Sequence, residues 1–294
     1  MIHSRFCSLS RKIRLPKLEV HPLFWLIGAL SILTAQFESI FIIFILVFLH
    51  ECAHIFMMMK YKWKIRRIML LPFGGVAETD EFATRPFYED WYVVLAGPLF
   101  HIALELFFQM LIIGFHVPTA ELALWRETNQ MILLVNLLPI YPLDGGRILT
   151  LVLEQKFPYY TVFVWSAWFG MAICIICILF FIVFHATSIG NIFVFFYLLV
   201  YLFLIWRKRM YIFLRFLYMR VDQKNIKDFP LKTIFAWSNE RMLQVCKRFY
   251  RPANHQIILQ DTNDHKEVPE SIFLKVYLYQ SFEPKTVREA RKYF

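Results

Sequence analysis

Long apolar runs alternate with short basic ones along this chain, and that pattern predicts a bundle of membrane-spanning helices. The runs extend from about Pro22 to Gln36, Ser39 to Met59, Trp91 to Phe115, from near Glu121 inward, Tyr160 to His185 and Ile189 to Trp206. Arg5, Arg11, Lys12, Arg14 and Lys17 precede the first run. Lys60, Lys62, Lys64, Arg66 and Arg67 follow the second, and Arg207-Lys208-Arg209 closes the sixth. The link between the first two runs and the Ala186-Thr187-Ser188 link carry no Lys or Arg. Basic loops stay in the cytoplasm, so about six spans with both termini cytoplasmic are expected, Arg126 being the exception.

Three stretches depart from this pattern. Ile68–Val76 is apolar but too short to span, and Pro72-Phe73-Gly74-Gly75 interrupts any helix. It reads as a short extended hairpin dipping into the membrane or as a cytoplasmic loop with an apolar tip. The fourth run reaches Asn136 and then meets Pro139, Pro142 and Asp144-Gly145-Gly146, which break the helix at its cytoplasmic end. Residues 207–227 are basic with Tyr211, Phe213, Phe216 and Tyr218 interleaved, which predicts a linker helix lying on the membrane surface. From about Asp228 the chain reads as a small α/β cytoplasmic domain. It has an amphipathic helix over Asn239–Arg251, a strand at Ile257–Leu259 and a second apolar segment over Ile272–Tyr279. The expected organisation is a membrane-embedded domain over 1–206, a basic interfacial linker over 207–227 and the small domain over 228–294.

Composition agrees. Of 294 residues, 59% are hydrophobic and 18% aromatic, which excludes an ordinary soluble domain. The net charge of +10 is concentrated beside apolar runs, so orientation and anionic headgroups account for it, with no direct nucleic-acid binding. Five cysteines make no even framework, and Cys174 and Cys177 stand in an apolar run where packing explains them. No small-residue cleavage site follows the basic N-terminus, so the first run is expected to stay in the mature protein.

Candidate chemistry centres on His50-Glu51-Cys52-Ala53-His54 in the second run. Residues four apart share a helix face, so both imidazoles can bind one zinc while Glu51, on the flank, carries the proton of an attacking water. Histidines merely satisfied by neighbours are the alternative. A charged group in mid-membrane costs roughly 2.5–3.5 kcal/mol, and packing alone does not explain three ionisable groups in one turn. Asp144 at the broken end of the fourth run has two compatible readings, an N-cap for a helix through Ile148 to Glu154 and the third metal ligand. Asn136 either caps freed backbone groups or offers its amide to a substrate. His101 and Glu105, one turn apart on the third run, form a hydrogen-bonded supporting pair or a second metal site.

These motifs carry a resemblance. His50-Glu51-x-x-His54, Ala96-Gly97-Pro98 and Asn136-x-x-Pro139-x-x-Pro142-x-Asp144-Gly145 are similar to the site-2 protease family of intramembrane zinc metalloproteases, over about residues 20–206. Leu71-Pro72-Phe73-Gly74-Gly75 and Leu99-x-His101 resemble the sporulation branch of that family; many other relatives carry Asn where His101 stands. The resemblance implies one zinc ion on His50, His54 and Asp144, with Glu51 catalytic and Asn136, beside Pro139, toward the substrate; the Leu70–Val76 arm, with Phe73 and Gly74, can supply an edge that holds an extended substrate strand. It implies a protein substrate, the inactive precursor of the sporulation sigma factor K, cleaved near the cytoplasmic side of the mother-cell membrane around the forespore. Membrane lipid and membrane-protein inhibitors are the other implied partners. The C-terminal domain is implied to be CBS-like, a module that pairs into homo-oligomers and senses adenine nucleotides such as ATP, supported here by the helix-then-strand pattern over 239–259. No PDZ-sized insertion separates the spans, which disfavours the anti-sigma-cleaving branch. The competing readings are a catalytically silent or transport-type zinc protein, and a site-2 protease acting on other substrates such as signal-peptide remnants. A transporter should carry polar residues along several spans and a silent homologue should have lost Glu51 or a ligand; neither holds here.

Overall fold

The computed structural model describes residues 17–20, 37–71, 74–79, 85–184, 189–221, 229–261, 264–279 and 286–290. The second apolar run folds as α1 (Phe37–Lys60) and the third as α2 (Phe87–Phe115). The fourth is α3 (Thr119–Asn136), followed after the break by α4 (Asp144–Glu154). The fifth is α5 (Tyr159–Val183) and the sixth α6 (Ile189–Arg207). The first run, 22–36, lies outside the described residues.

Three of these helices, α1, α2 and α5, are long and apolar enough to cross a membrane. Large apolar side chains point outward along the bundle: Ile113 is 74% exposed, Val183 67% and Ile176 64%. A surface of that kind suits lipid and not water. Inside, Ile42, Leu46 and Ile132 join α1 to α3, while Ile140, Cys174, Leu198 and Leu202 join the fourth-run break to α5 and α6. Arg126, the exception to the charge rule, is neutralised: its Nη2 and Nε donate to Glu105 Oε1 of α2 at 2.5 and 3.0 Å.

The short apolar stretch is a hairpin. Strand β2 (Ile65–Leu71) pairs antiparallel with β3 (Gly74–Thr79), Met69 opposite Val76. A third strand, β1 (Lys17–Val20), runs parallel to β2 with Leu18 opposite Ile68, a pairing that the basic N-terminal segment gave no sign of. Gly74 stands opposite Leu71, and Phe73 lies outside the described residues.

The C-terminal part begins with α7 (Arg209–Val221), then β4 (Leu231–Trp237) and α8 (Met242–Cys246). It continues through β5 (Asn254–Asp261), β6 (Asp264–Pro269), α9 (Glu270–Tyr279) and α10 (Val287–Ala290). The sheet order is β4-β5-β6, with β4 parallel and β6 antiparallel to β5. The basic, aromatic segment expected on the membrane surface is helical, and part of its apolar face packs into the core of the C-terminal part. Phe213, Phe216 and Leu217 of α7 are buried in one cluster with Val245, Phe249, Ile257 and Phe273. A unit this small needs the extra helix to close its core. Tyr211 and Tyr218 remain exposed.

This part is docked onto the bundle at the α4–α5 junction. The Tyr159 N–H, one of the first-turn donors that an α-helix leaves unpaired, donates to the Phe249 carbonyl at 3.0 Å. The Tyr159 ring stacks on Phe216 with centroids 4.1 Å apart. Arg251 reaches between the membrane helices: Nη1 donates to Glu154 Oε2 at 3.0 Å and Nη2 to Asp90 Oδ2. All three side chains are buried. Burial works against the Arg251 charge, but the carboxylates of Asp90 and Glu154 outweigh it and raise the guanidinium above its ordinary value. The charge suits the place, since Arg251 stands at the C-terminal end of α4 and faces an acid in the first turn of α2. Arg220 of α7 fixes the loop that presents Arg251, donating to the Arg251 and Ala253 carbonyls at 3.0 and 2.5 Å while paired with Glu270.

Arg251→Met removes the counter-charge and leaves two buried carboxylates, a loss of about 3–5 kcal/mol for a pair broken from one side. Its thermal unfolding midpoint in detergent is expected to fall well below wild type. Adding Asp90→Asn and Glu154→Gln should recover most of the loss. An Arg251→Met protein that melts like wild type would mean that the cluster is solvated.

Candidate metal centre

Helix α1 carries His50, Glu51 and His54, all buried, and turns the two histidines to Gly97 of α2 and Asp144 of α4. What lets α2 approach is Gly97. A Cβ there would overlap His50 Cε1 and His54 Nε2, so any larger residue would push the helix off the histidines. The sequence marks Ala96-Gly97-Pro98 as a place of close helix contact; that the contact is with the two imidazoles is visible only in the fold. Asp144 arrives from the opposite side at the start of α4. Its approach depends on Gly145 and Gly146, where a Cβ would overlap the Leu137 carbonyl and the Ile140 backbone. The glycine pair lets α4 fold back against the broken end of the fourth run, through a cis Tyr141–Pro142 peptide.

Three atoms converge. His54 Nε2 lies 3.1 Å from His50 Nε2 and 3.2 Å from Asp144 Oδ2, and His50 Nε2 is 3.2 Å from the same oxygen. His54 Nδ1 donates to the Val93 carbonyl of α2 at 2.7 Å, which leaves a lone pair on Nε2. That nitrogen faces a carboxylate oxygen at hydrogen-bonding distance. A shared cation satisfies all three atoms at once. Zinc at its usual bond lengths requires ligand atoms about 3.3 Å apart in a tetrahedron, close to the separations found. The residues therefore fit a zinc ion, and among the described residues His50, His54 and Asp144 are the one group placed to hold a metal.

Asp144 does not cap: the N-cap position of α4 is Leu143, without a side-chain bond, and the carboxylate is turned to the histidines. Asn136 is the last residue of α3, half-buried, and Pro139 is half-buried in the irregular stretch after it. His101 and Glu105 do not pair with each other. His101 Nδ1 is 2.6 Å from Asn129 Oδ1 of α3, and Glu105 is held by Arg126. Asn129 and Arg251 escaped the sequence reading, since each is joined to its partner across many residues with no repeating spacing to mark it.

Known proteins agree with this architecture. Residues 38–131 match peptidase family M50. Stage IV sporulation protein FB of Bacillus subtilis is 34% identical over 266 residues, 89% of this chain and 91% of that protein. A zinc metalloprotease of Methanocaldococcus jannaschii is 36% identical over 47% of this chain and 41% of its own length. The solved structure of a site-2 protease from the same archaeon superposes with a TM-score of 0.50 at 30% identity, covering 62% of this chain and 87% of that one. Similarity over nearly the whole length of one relative, together with a fold shared with a solved site-2 protease, settles the matter: the chain belongs to peptidase family M50, the site-2 proteases, and is a membrane zinc metalloendopeptidase.

Proposed function

We propose that this enzyme cleaves a membrane-associated precursor protein at a bond near the cytoplasmic side of the membrane, and that the substrate is the inactive precursor of the sporulation sigma factor K. The observation that carries the substrate is the extent of similarity to the sporulation protein, 89% of this chain, which takes in the C-terminal part as well as the helices. His50, His54 and Asp144 hold the zinc, which when bound supplies Lewis acidity and makes water a competent nucleophile near neutral pH. Glu51 takes the proton of the attacking water and returns it to the leaving amine as the peptide C–N bond breaks. A helical substrate hides its carbonyls, so the cleaved segment must be extended. Among the described residues β3 pairs with β2 alone, and its other edge can take such a strand. Gly74, Phe73, Asn136 and Pro139 lie along this route in the sequence reading.

The remaining parts follow the same reading. Six spans, with residues 22–36 as the first, put both termini in the cytoplasm of the mother cell, in the membrane around the forespore. Residues 228–294, packed on α7 of the 207–227 segment, form a CBS-like unit that meets the soluble part of the substrate and pairs with a second copy; membrane-protein inhibitors act on the same enzyme. ATP at this unit rests on the family resemblance alone.

The test is cleavage in proteoliposomes of purified enzyme with the sigma factor precursor or with signal-peptide remnants. The precursor is expected to be shortened at one site, to survive intact when zinc is stripped by a chelator, and to be cut again when zinc is restored. An intact precursor beside cleaved remnants would overturn the substrate and leave the family standing.

A further inference from the structure

His101 and Asn129 are both 0% exposed, and nothing in the proposed reaction uses them. Asn129 Nδ2 donates to the His101 carbonyl at 3.1 Å, which fixes the amide and turns its Oδ1 to His101 Nδ1 at 2.6 Å. An amide oxygen only accepts, so Nδ1 carries the ring proton and the lone pair of the neutral ring is on Nε2. That Nε2 is buried and has no hydrogen-bond partner. His50 has the complementary need. With Nε2 turned to Asp144 and His54, its ring proton sits on Nδ1, which is also buried and without a partner. The two rings lie 5.0 Å apart between centroids, their planes 33° from parallel. One orphan is a donor, the other an acceptor, and leaving either unmet in a buried place is costly.

We propose that His101, oriented by Asn129, is a positioning residue for the metal ligand His50: its Nε2 accepts a hydrogen bond relayed from His50 Nδ1–H through one buried water, and so sets the tautomer and ring orientation of that ligand. The inference rests on the reading of His50, His54 and Asp144 as zinc ligands. It gives each ligand histidine its own acceptor, since the Val93 carbonyl already serves His54. Such outer partners raise ligand basicity and hold the ring where the metal needs it.

The test uses the purified full chain in detergent. Zinc affinity is measured by competition with a chromophoric chelator, and site geometry by the absorption spectrum of the cobalt-loaded protein. Asn129→Leu, close in size but unable to accept, should weaken zinc binding about 10–100-fold and shift the cobalt spectrum. His101→Phe should do the same, and the double variant should be no weaker than either single one. Asn129→Asp keeps an acceptor in place and should bind zinc within a few-fold of wild type. Wild-type affinity in Asn129→Leu or His101→Phe overturns the proposal, as does an Asn129→Asp loss equal to that of Asn129→Leu. Should Asn129→Leu fail to fold, the His101→Phe and Asn129→Asp measurements still decide it. His54→Ala separates the two readings: if it binds zinc like wild type the ligand set is wrong, whereas if it loses zinc while Asn129→Leu and His101→Phe keep it, only the positioning role falls.

Discussion

Glu51→Gln is expected to lower peptide cleavage by about 10²–10⁴-fold, the usual contribution of a general acid–base group, while zinc stays bound. The reasoning is geometric. Glu51 is buried on the same helix as both histidines, yet it is not one of the three residues whose atoms converge. The amide of glutamine keeps the size of the side chain and removes its capacity to take a proton, so both halves of the proton traffic are lost together. Cleavage rate in proteoliposomes and zinc content by elemental analysis are the two readouts. A wild-type rate would remove Glu51 from the reaction. A loss of zinc along with activity would mean that Glu51 supports the metal instead.

Asp144→Ala should strip the metal. Without the carboxylate only two nitrogen ligands remain, both from one helix, and the third corner of the triangle is empty. The loss of affinity should exceed the ~10–100-fold typical of outer partners, with activity falling to background. Stability separates this result from the capping role. Removal of a helix cap costs about 1 kcal/mol, but Leu143 holds the cap position and makes no side-chain bond. Zinc-free protein of near-normal melting behaviour is therefore expected. Retained zinc with a lowered melting point would return Asp144 to the helix end.

Much of the centre was legible because it is written locally. The i, i+4 spacing of His50 and His54 sets both rings on one face of any helix, and the Pro-rich break with Asp-Gly-Gly marks where a helix must stop and a carboxylate can enter. The helices of the bundle start and end within a few residues of the apolar runs, since lipid burial leaves a continuous signal. What escaped was non-local. The β1 strand lies in a basic segment and owes its pairing to β2, 50 positions downstream (67 − 17). The α7 segment has the composition of a surface helix, and only the small core beside it explains why Phe213 and Phe216 turn inward. Asn129 gave no signal because it works through one hydrogen-bond pair with a residue on another helix.

The Arg251 cluster also bears on how such a protein can descend and be recombined. Its three charges belong to three separate stretches, Asp90 in one helix, Glu154 at the end of another and Arg251 161 residues beyond the first. A graft that gives this membrane part the tail of a relative without the arginine would inherit two stranded acids, however well the tail folds alone. The halves are therefore not interchangeable modules. Over evolutionary time these three positions must change in concert, and the tail's ancestry is bound to that of the helices it sits on.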